Sequence, residues 1–228
     1  MRRIAKVLIR MSLVLVSVGN LHAQDNNDET RLNTNLGMTI SAPLNPTARF
    51  VDVGWGTVYG AGYNFNRRNA VIGEVMWNWL TPTGATLLPI RAALHASDIG
   101  GHGNLVALTA NYRYELRGKA LGTYFIGGGG LYYRNASLSR SVITGTSTIC
   151  DPAWLWWGFT CESGTVTTNE TLASSSSSAF GGNAGFGFTA RVGGPDPPYR
   201  VYVETRYHYA PNKHFNTQLI AVTVGIRY

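Results

Sequence analysis

The sequence predicts an all-β fold, an eight-stranded antiparallel transmembrane β-barrel of the up-and-down type. First, residues 217–228 alternate between large apolar side chains and small or polar ones, the period of a strand with two different faces. Second, the chain has 27 glycines and 12 tyrosines, while charged residues make up only 14% of it. Third, the predicted connections alternate between short and long, which the alternative interpretation, a secreted soluble β-sandwich, does not require.

The first 23 residues have the organisation of a secretory signal peptide. Four basic residues precede a short apolar run at 11–18, and Ala23 ends a plausible cleavage site. Four of the 19 basic residues and none of the 12 acidic residues leave with this segment, so the mature chain has 15 and 12, a net charge of +3. That balance gives no reason to expect a nucleic-acid partner. Residues 24–31 form a short polar lead, and residues 32–228 form the predicted barrel.

Eight segments carry strand signals. In chain order they are residues 32–42, 54–64, 70–80, 104–116, 120 to about 139, 176–191, 200–209 and 217–228. In most of them one side is apolar, and we expect it to face lipid, while the polar or glycine-rich side faces the lumen. The fifth strand is the exception, because both of its sides are comparably apolar and the sequence assigns neither of them inward.

The connections differ in length at the two ends of the predicted barrel. Those after the second, fourth and sixth strands are short turns, whereas residues 43–52, 81–103 and 140–173 are predicted to be long loops. An even number of strands leaves both chain termini on the periplasmic side, so we expect the long loops to lie outside the cell.

The last two strands carry a resemblance to a known family. Tyr228 ends the alternating final strand, and the segment Glu204-Thr205-Arg206-Tyr207 lies on the strand before it. With the eight-strand pattern of residues 32–228, these features resemble the transmembrane domain of outer membrane protein A and the opacity-type porin family. The resemblance implies a monomeric barrel in the outer membrane of a Gram-negative cell, in contact with lipid and lipopolysaccharide. It also implies that the barrel-assembly machinery reads Tyr228, and with no further domain after Tyr228 we expect no peptidoglycan-anchoring role.

Charged residues fall on the predicted inward faces. They are Glu74, Arg113, Glu115, Arg191, Glu204, Arg206 and Arg227. An eight-stranded barrel is just wide enough to be filled by its own side chains, and an unpaired buried ion costs several kcal/mol. We therefore expect an ion-pair network that fills the lumen. The alternative is a narrow gated path for ions or small solutes.

Catalytic and metal-binding patterns are weak. Lipid A deacylases, which are also eight-stranded barrels, place a histidine two residues before a nucleophilic serine, but here His208 is followed at that spacing by Ala210. His95, Asp98 and His102 share a glycine-rich loop without the fixed spacing of a metal site. We expect no catalytic residue, no metal and no cofactor.

The predicted loop 140–173 holds both cysteines of the chain. Two nearby cysteines in an exported protein predict a disulfide between Cys150 and Cys161. The residues between them include the aromatic side chains of Trp154, Trp156, Trp157 and Phe159. Either these aromatics pack on the barrel rim or on lipopolysaccharide, or they form a preorganised contact site for a host or surface ligand.

These features predict an outer-membrane barrel with a filled lumen and a structural or adhesive role at the cell surface. A small-solute channel is the second hypothesis. A lipid A-modifying enzyme is the third, and the absence of a serine or threonine at position 210 disfavours it.

Overall fold

The computed structural model describes residues 31–118, 120–153, 158–192, 199–213 and 215–228. Eight strands form one closed barrel in which each strand pairs with its sequence neighbour and β1 pairs with β8. The strands are β1 (Leu32–Pro43), β2 (Gly54–Asn64), β3 (Asn69–Leu80), β4 (Ile99–Arg117), β5 (Leu121–Ala153), β6 (Gly158–Arg191), β7 (Arg200–Ala210) and β8 (Thr217–Arg227). The predicted fold is confirmed. The signal peptide and residues 24–30 lie outside the described residues and stay predictions.

The first and last strands close the barrel in an antiparallel ladder. The register runs from Asn35 opposite Arg227 to Pro43 opposite Leu219. Beyond β8, the backbone N–H of Tyr228 donates to the carbonyl of Thr34 over 2.9 Å, and Thr34 donates back over 3.0 Å. Closure therefore continues to the final residue, and it leaves the barrel wall without a free strand edge at this position.

The two sides of the barrel wall have opposite character. In β1 every second side chain is buried, beginning with Asn33, and the residues between them, such as Leu36 and Ile40, are exposed. An exposed apolar face with a polar interior is the reverse of a soluble protein and suits a wall surrounded by lipid. β5, which the sequence left unassigned, turns Tyr124, Ile126 and Tyr132 inward.

The prediction that residues 81–103 form a loop was wrong in part. It contains a helix, α1 (Gly84–Ala93), and β4 begins at Ile99 inside the predicted loop. The hydroxyl of Thr83 caps the helix by accepting from the backbone N–H of Thr86, and the guanidinium of Arg91 donates to the carbonyl of Ile99 over 2.7 Å. A threonine before a helix is a standard cap, but one short helix among glycines gives too little periodicity to be found from sequence.

The prediction that residues 140–173 form a loop was also wrong, because most of this segment belongs to β5 and β6. β5 and β6 pair without interruption from Leu121 opposite Ala190 to Ala153 opposite Gly158, with register shifts near Ser139 and Gly145. Both sides of this long hairpin meet water, so polarity does not alternate along it and the strand signal is lost. The threonine and β-branched residues of the segment are nevertheless good strand formers.

No helix within the described part of the chain is both long enough and apolar enough to cross a membrane.

Candidate functional site: the barrel lumen and the projecting hairpin

Arg206 on β7 is the centre of the lumen. Its Nη1 lies 2.6 Å from Oε2 of Glu74 on β3, and its Nη2 lies 2.5 Å from Oε1 of Glu204. All three side chains are almost fully buried, with exposed fractions of 6% or less. One guanidinium therefore bridges two carboxylates from different strands, and it holds β3 against β7 across the barrel.

The carboxylate of Glu74 receives further hydrogen bonds from amides. Asn35 donates to Oε1 over 2.9 Å, and Asn111 donates to Oε2 over 2.6 Å. The side-chain amide of Asn183 in turn donates to the side-chain oxygen Oδ1 of Asn111 over 2.9 Å. A buried carboxylate with this many donors is a structural ion, because its charge is already compensated in the folded state.

A second cluster lies towards the periplasmic end. The guanidinium carbon of Arg227 sits 4.6 Å from the ring centroid of Tyr124 and 5.0 Å from that of Tyr202. Its Nη1 is 3.7 Å from Glu115, whose carboxylate is also 3.5 Å from Nε of Arg113. Cation–π contacts and shared carboxylates thus fix the cation between two aromatic rings.

Gly187 makes room for this aromatic pair. A side chain at Gly187 would meet the ring of Tyr124, and its Cβ would lie 2.7 Å from Cε1. The hydroxyl of Tyr124 reaches Glu204 over 2.9 Å, so it links the second cluster to the first.

Arg191 does not belong to the lumen, and this part of the sequence prediction was wrong. By the alternation of side chains along β6 it should point inward, but it is the last residue of that strand and is exposed. Its partner in the ladder, Arg200, is buried in its place and donates to Thr189 over 3.4 Å and to the carbonyl of Gly118 over 3.3 Å. Parity alone could not tell which of two paired arginines turns into the barrel. The other six predicted charges lie inside it.

An apolar layer lies in the extracellular half of the lumen, where Ser41 and Asn78 are also buried. This apolar plug consists of Val58, Met76, Leu105, Ala107, Tyr132, Ala210, Leu219 and Ala221. All of these side chains are buried, with exposed fractions of 6% or less. Sequence reasoning missed the plug because it looked for charges on the inward faces.

His208 lies beside the plug. Its Nδ1 is 3.0 Å from the hydroxyl of Tyr132, and the two rings meet edge to face. The position two residues later is Ala210, which packs in the plug.

The residues considered for a metal site lie near the start of β4. Asp98 pairs with Arg140 over 3.7 Å, and His102 lies 2.9 Å from Ser137. Among the described residues, no three potential metal ligands come together.

The β5–β6 hairpin continues past the last residues that β4 and β7 cover. The ladder of β4 with β5 ends at Ile99 opposite Arg140, and the ladder of β6 with β7 begins only at Gly182. We call residues 141–153 and 158–173 the hairpin arm. At a rise of roughly 3.3 Å per residue, the arm is on the order of 40 Å long.

The predicted disulfide is confirmed near the end of the arm. Cys150 and Cys161 face each other in the ladder with their Cα atoms 4.0 Å apart. The indole residues predicted as a contact site, Trp154, Trp156 and Trp157, lie outside the described residues. The backbone of Phe159 pairs with Pro152, but its side chain is also outside the described part.

Comparison with solved structures agrees with this architecture. Ail, the attachment invasion locus protein of Yersinia pestis, has a TM-score of 0.50 and 15% sequence identity, covering 86% of this chain and 97% of its own. Neisserial surface protein A has a TM-score of 0.47 and 11% identity, covering 87% and 96%. OprG of Pseudomonas aeruginosa has 0.43 and 12%, covering 86% and 94%. The likeness to Ail shows the fold.

The chain has the fold of an eight-stranded outer-membrane β-barrel. At the level of the fold, this confirms the predicted resemblance to outer membrane protein A and the opacity-type porins. No family model and no curated protein sequence matches the chain.

Aromatic girdles mark the two rims of this outer-membrane β-barrel. Near the extracellular rim, the rings of Trp55 and Trp79 are 4.5 Å apart, and Trp77 stacks on Trp79 at 5.3 Å. At the periplasmic rim, the rings of Tyr199 and Tyr228 are 5.4 Å apart. Amphipathic rings at both edges of an apolar wall fit the two lipid–water interfaces of an outer membrane.

Proposed function

We propose that the protein acts at the outer surface of the outer membrane, where the barrel is a closed anchor and the hairpin arm contacts a host or surface ligand. The observation that carries this proposal is the arm itself. Closing the barrel requires only the strand residues that lie within the membrane. β5 and β6 nevertheless continue far beyond the membrane and are cross-linked there by a disulfide. A preorganised projection loses little entropy on binding and so favours recognition.

The filled lumen supports an anchoring role over a transport role. Charges in the periplasmic half are paired, and the extracellular half is apolar along the plug. An ion crossing this path would first have to break buried pairs and then lose its hydration among aliphatic side chains.

The proposal includes the absence of catalysis. Lipid A chemistry at the rim would need an activated hydroxyl or an equivalent nucleophile beside a base. His208 instead faces the hydroxyl of Tyr132 inside the barrel, away from the lipid face. Lipid A mass spectra from cells with and without the protein test this part, and any change in acyl chains would contradict it.

The proposed partners follow from the two surfaces. Lipid and lipopolysaccharide contact the apolar wall and its girdles, and the barrel-assembly machinery is proposed to recognise the last strand with Tyr228. The arm binds the host or surface ligand, and the tryptophans between its cysteines would supply apolar side chains that anchor the contact. We propose that the barrel works as a monomer.

Adhesion of whole cells tests the proposed role. Residues 141–169 are replaced by a two-residue Asn-Gly turn, which suits a hairpin of this kind because Arg140 and Glu170 face each other in the ladder. Cells that display the truncated barrel should bind host matrix no better than cells without the protein, whereas cells with the full chain should bind it. Heat-modifiability on gels verifies that both versions are folded. Equal adhesion of the two versions would contradict the proposal.

A small-solute channel is the second candidate, and one observation favours it. Several buried polar atoms in the lumen, among them Oδ1 of Asn35, Nδ2 of Asn78 and the hydroxyl of Tyr202, have no hydrogen-bond partner among the described residues. Water normally satisfies such groups, and a chain of waters is the start of a path. Single-channel steps in planar bilayers that disappear with Arg206→Ala, in protein whose gel mobility shows that it is still folded, would establish the channel.

A further inference from the structure

The outer side of β6 is a free strand edge. β5 covers one side of β6 over its entire length, whereas β7 covers the other side only from Gly182 to Arg191. Among the described residues, no backbone hydrogen bond from another segment reaches Gly158–Gly181 on that side. Backbone N–H and C=O groups are therefore presented in a row along the arm, which is the template for an added strand.

The composition of this edge protects it only weakly, because its charged residues, Glu162 and Glu170, are few and of one sign. Exposed edges are usually blocked by lysine, proline or a short strand length, yet residues 158–181 contain no Lys, Arg or Pro. Threonine is frequent in the segment and favours extended backbone. The serines at 174–176 are small, so another backbone can approach closely there.

The lower end of the edge is held in place by side chains. Ser177 accepts from Nη2 of Arg134 over 3.0 Å and from Nδ2 of Asn212 over 3.3 Å. Just below, Lys213 and the neighbouring loop residues border Ser178–Phe180. The accessible edge therefore begins above Ser177 and rises along the arm.

The arm carries charge of one sign. Residues 141–173 contain Asp151, Glu162 and Glu170 but no lysine or arginine. Below them, Arg140 is paired with Asp98 at the base. Two of the acidic residues, Glu162 and Glu170, lie on β6 itself and are exposed. An edge with this field attracts cationic chains and repels anionic ones.

We propose that the free edge of β6 between Glu162 and Ser176 binds an extended polypeptide segment rich in lysine or arginine, which adds to the arm as a third strand. Backbone hydrogen bonds to the edge hold the segment, and Glu162 and Glu170 select its charge. The inference rests on the proposed function, in which the arm is the contact element, and it names the class of partner and its mode of binding.

The test uses the full chain in nanodiscs of phosphatidylcholine, a zwitterionic lipid that does not attract cations by net charge. The probe is a twelve-residue peptide of alternating threonine and lysine. It should bind and slow the deuterium exchange of amides in residues 162–176. Two matched peptides are controls: one with glutamate in place of lysine, and one N-methylated at every residue, which has no backbone N–H left to donate to the edge. Neither should bind.

Charge variants supply the matched control on the protein side. Glu162→Gln with Glu170→Gln should weaken binding of the lysine peptide by roughly three- to tenfold, the effect of two exposed ion pairs. Asp52→Asn removes an exposed carboxylate from the β1–β2 loop and should leave binding unchanged.

Three outcomes would overturn the inference. They are no binding of the lysine peptide, equal binding of the N-methylated peptide, and protection of the edge that grows with protein concentration without any peptide, which would mean that a second copy occupies it. Loss of adhesion on arm truncation with no peptide binding would leave the proposed function standing. Peptide binding with edge protection, but adhesion independent of the arm, would leave the inference and reject the proposed function.

Discussion

Arg206 is the residue on which the lumen depends most, since its guanidinium pairs with both Glu74 and Glu204. Arg206→Met should leave two buried carboxylates without their cation and lower the free energy of unfolding by about 3–5 kcal/mol. Urea titration of the folded barrel, followed by its shift in gel mobility, measures the loss.

A double variant separates charge from packing at this site. Adding Glu74→Gln to Arg206→Met removes one of the stranded carboxylates and should recover part of the stability. Arg191→Met is the matched control, because Arg191 is exposed at the barrel end and should change stability by less than about 0.5 kcal/mol. If the two single arginine variants were equally stable, the lumenal network would not be a major support of the fold.

Tyr228 is the second residue with a specific prediction. Its backbone completes the pairing with Thr34, and its ring packs near Tyr199 at the periplasmic interface. Deletion of Tyr228, or Tyr228→Asp, should sharply lower the amount of folded barrel in the outer membrane, whereas Val222→Thr, on the same face of β8, should matter less. Quantified outer-membrane fractions provide the measurement, and normal levels of the deletion variant would contradict a role for Tyr228 in assembly.

At the scale of single residues, the sequence was sufficient for inward and outward parity but not for strand ends. Glu74, Glu204 and Arg206 lie where alternation placed them. Arg191 and Arg200 have the same parity on paired strands, and only the point where the wall ends decides which of them is buried. The packing of Arg227 between two tyrosines also depends on strand register, which a sequence pattern does not contain.

Among the elements, the hairpin arm should be separable from the barrel. Cys150→Ser with Cys161→Ser removes the covalent closure of the arm, which by the loop-entropy argument contributes about 3 kcal/mol to local order. The barrel should still fold, because its stability comes from the closed hydrogen-bond ladder in lipid. Adhesion should fall, and Trp156→Ala alone should reproduce that fall.

Heat-modifiability and adhesion to host matrix, measured on the same cells, check both halves of this prediction. A barrel that no longer folds would show that the arm is part of the folding unit. A folded double variant with unchanged adhesion would show that the disulfide does not preorganise a contact site.

The elements that the sequence failed to predict share a physical cause. The predictable strands have lipid on one side and a lumen on the other, so polarity alternates and reveals them. The arm has water on both sides, as the exposed adjacent residues Ser147 and Thr148 show, and α1 is a short helix that packs on the rim through Leu87. Because neither element lies between a polar and an apolar environment along its whole length, polar and apolar residues do not alternate regularly in its sequence.

For the whole molecule, the apolar plug should decide whether the barrel conducts. Wild-type protein in planar bilayers should show no reproducible single-channel steps. Leu105→Ala with Leu219→Ala removes two of the larger plug side chains and should admit water and raise the conductance. Leu108→Ala, on the lipid face of the same strand, is the control and should stay silent. If the wild-type protein conducts, and the plug variant conducts no better than the wild type, the result would contradict a closed lumen.

The contact role rests on the arm as a transferable element, and moving it tests that role most directly. Starting from the chain in which residues 141–169 are replaced by a turn, the same residues are inserted into the β1–β2 connection, which lies at the same end of the barrel. Surface display is verified by protease cleavage of the arm on intact cells. We expect adhesion to host matrix to return with the arm at its new position. Adhesion that stays at the level of the truncated chain, with the arm displayed, would contradict the account.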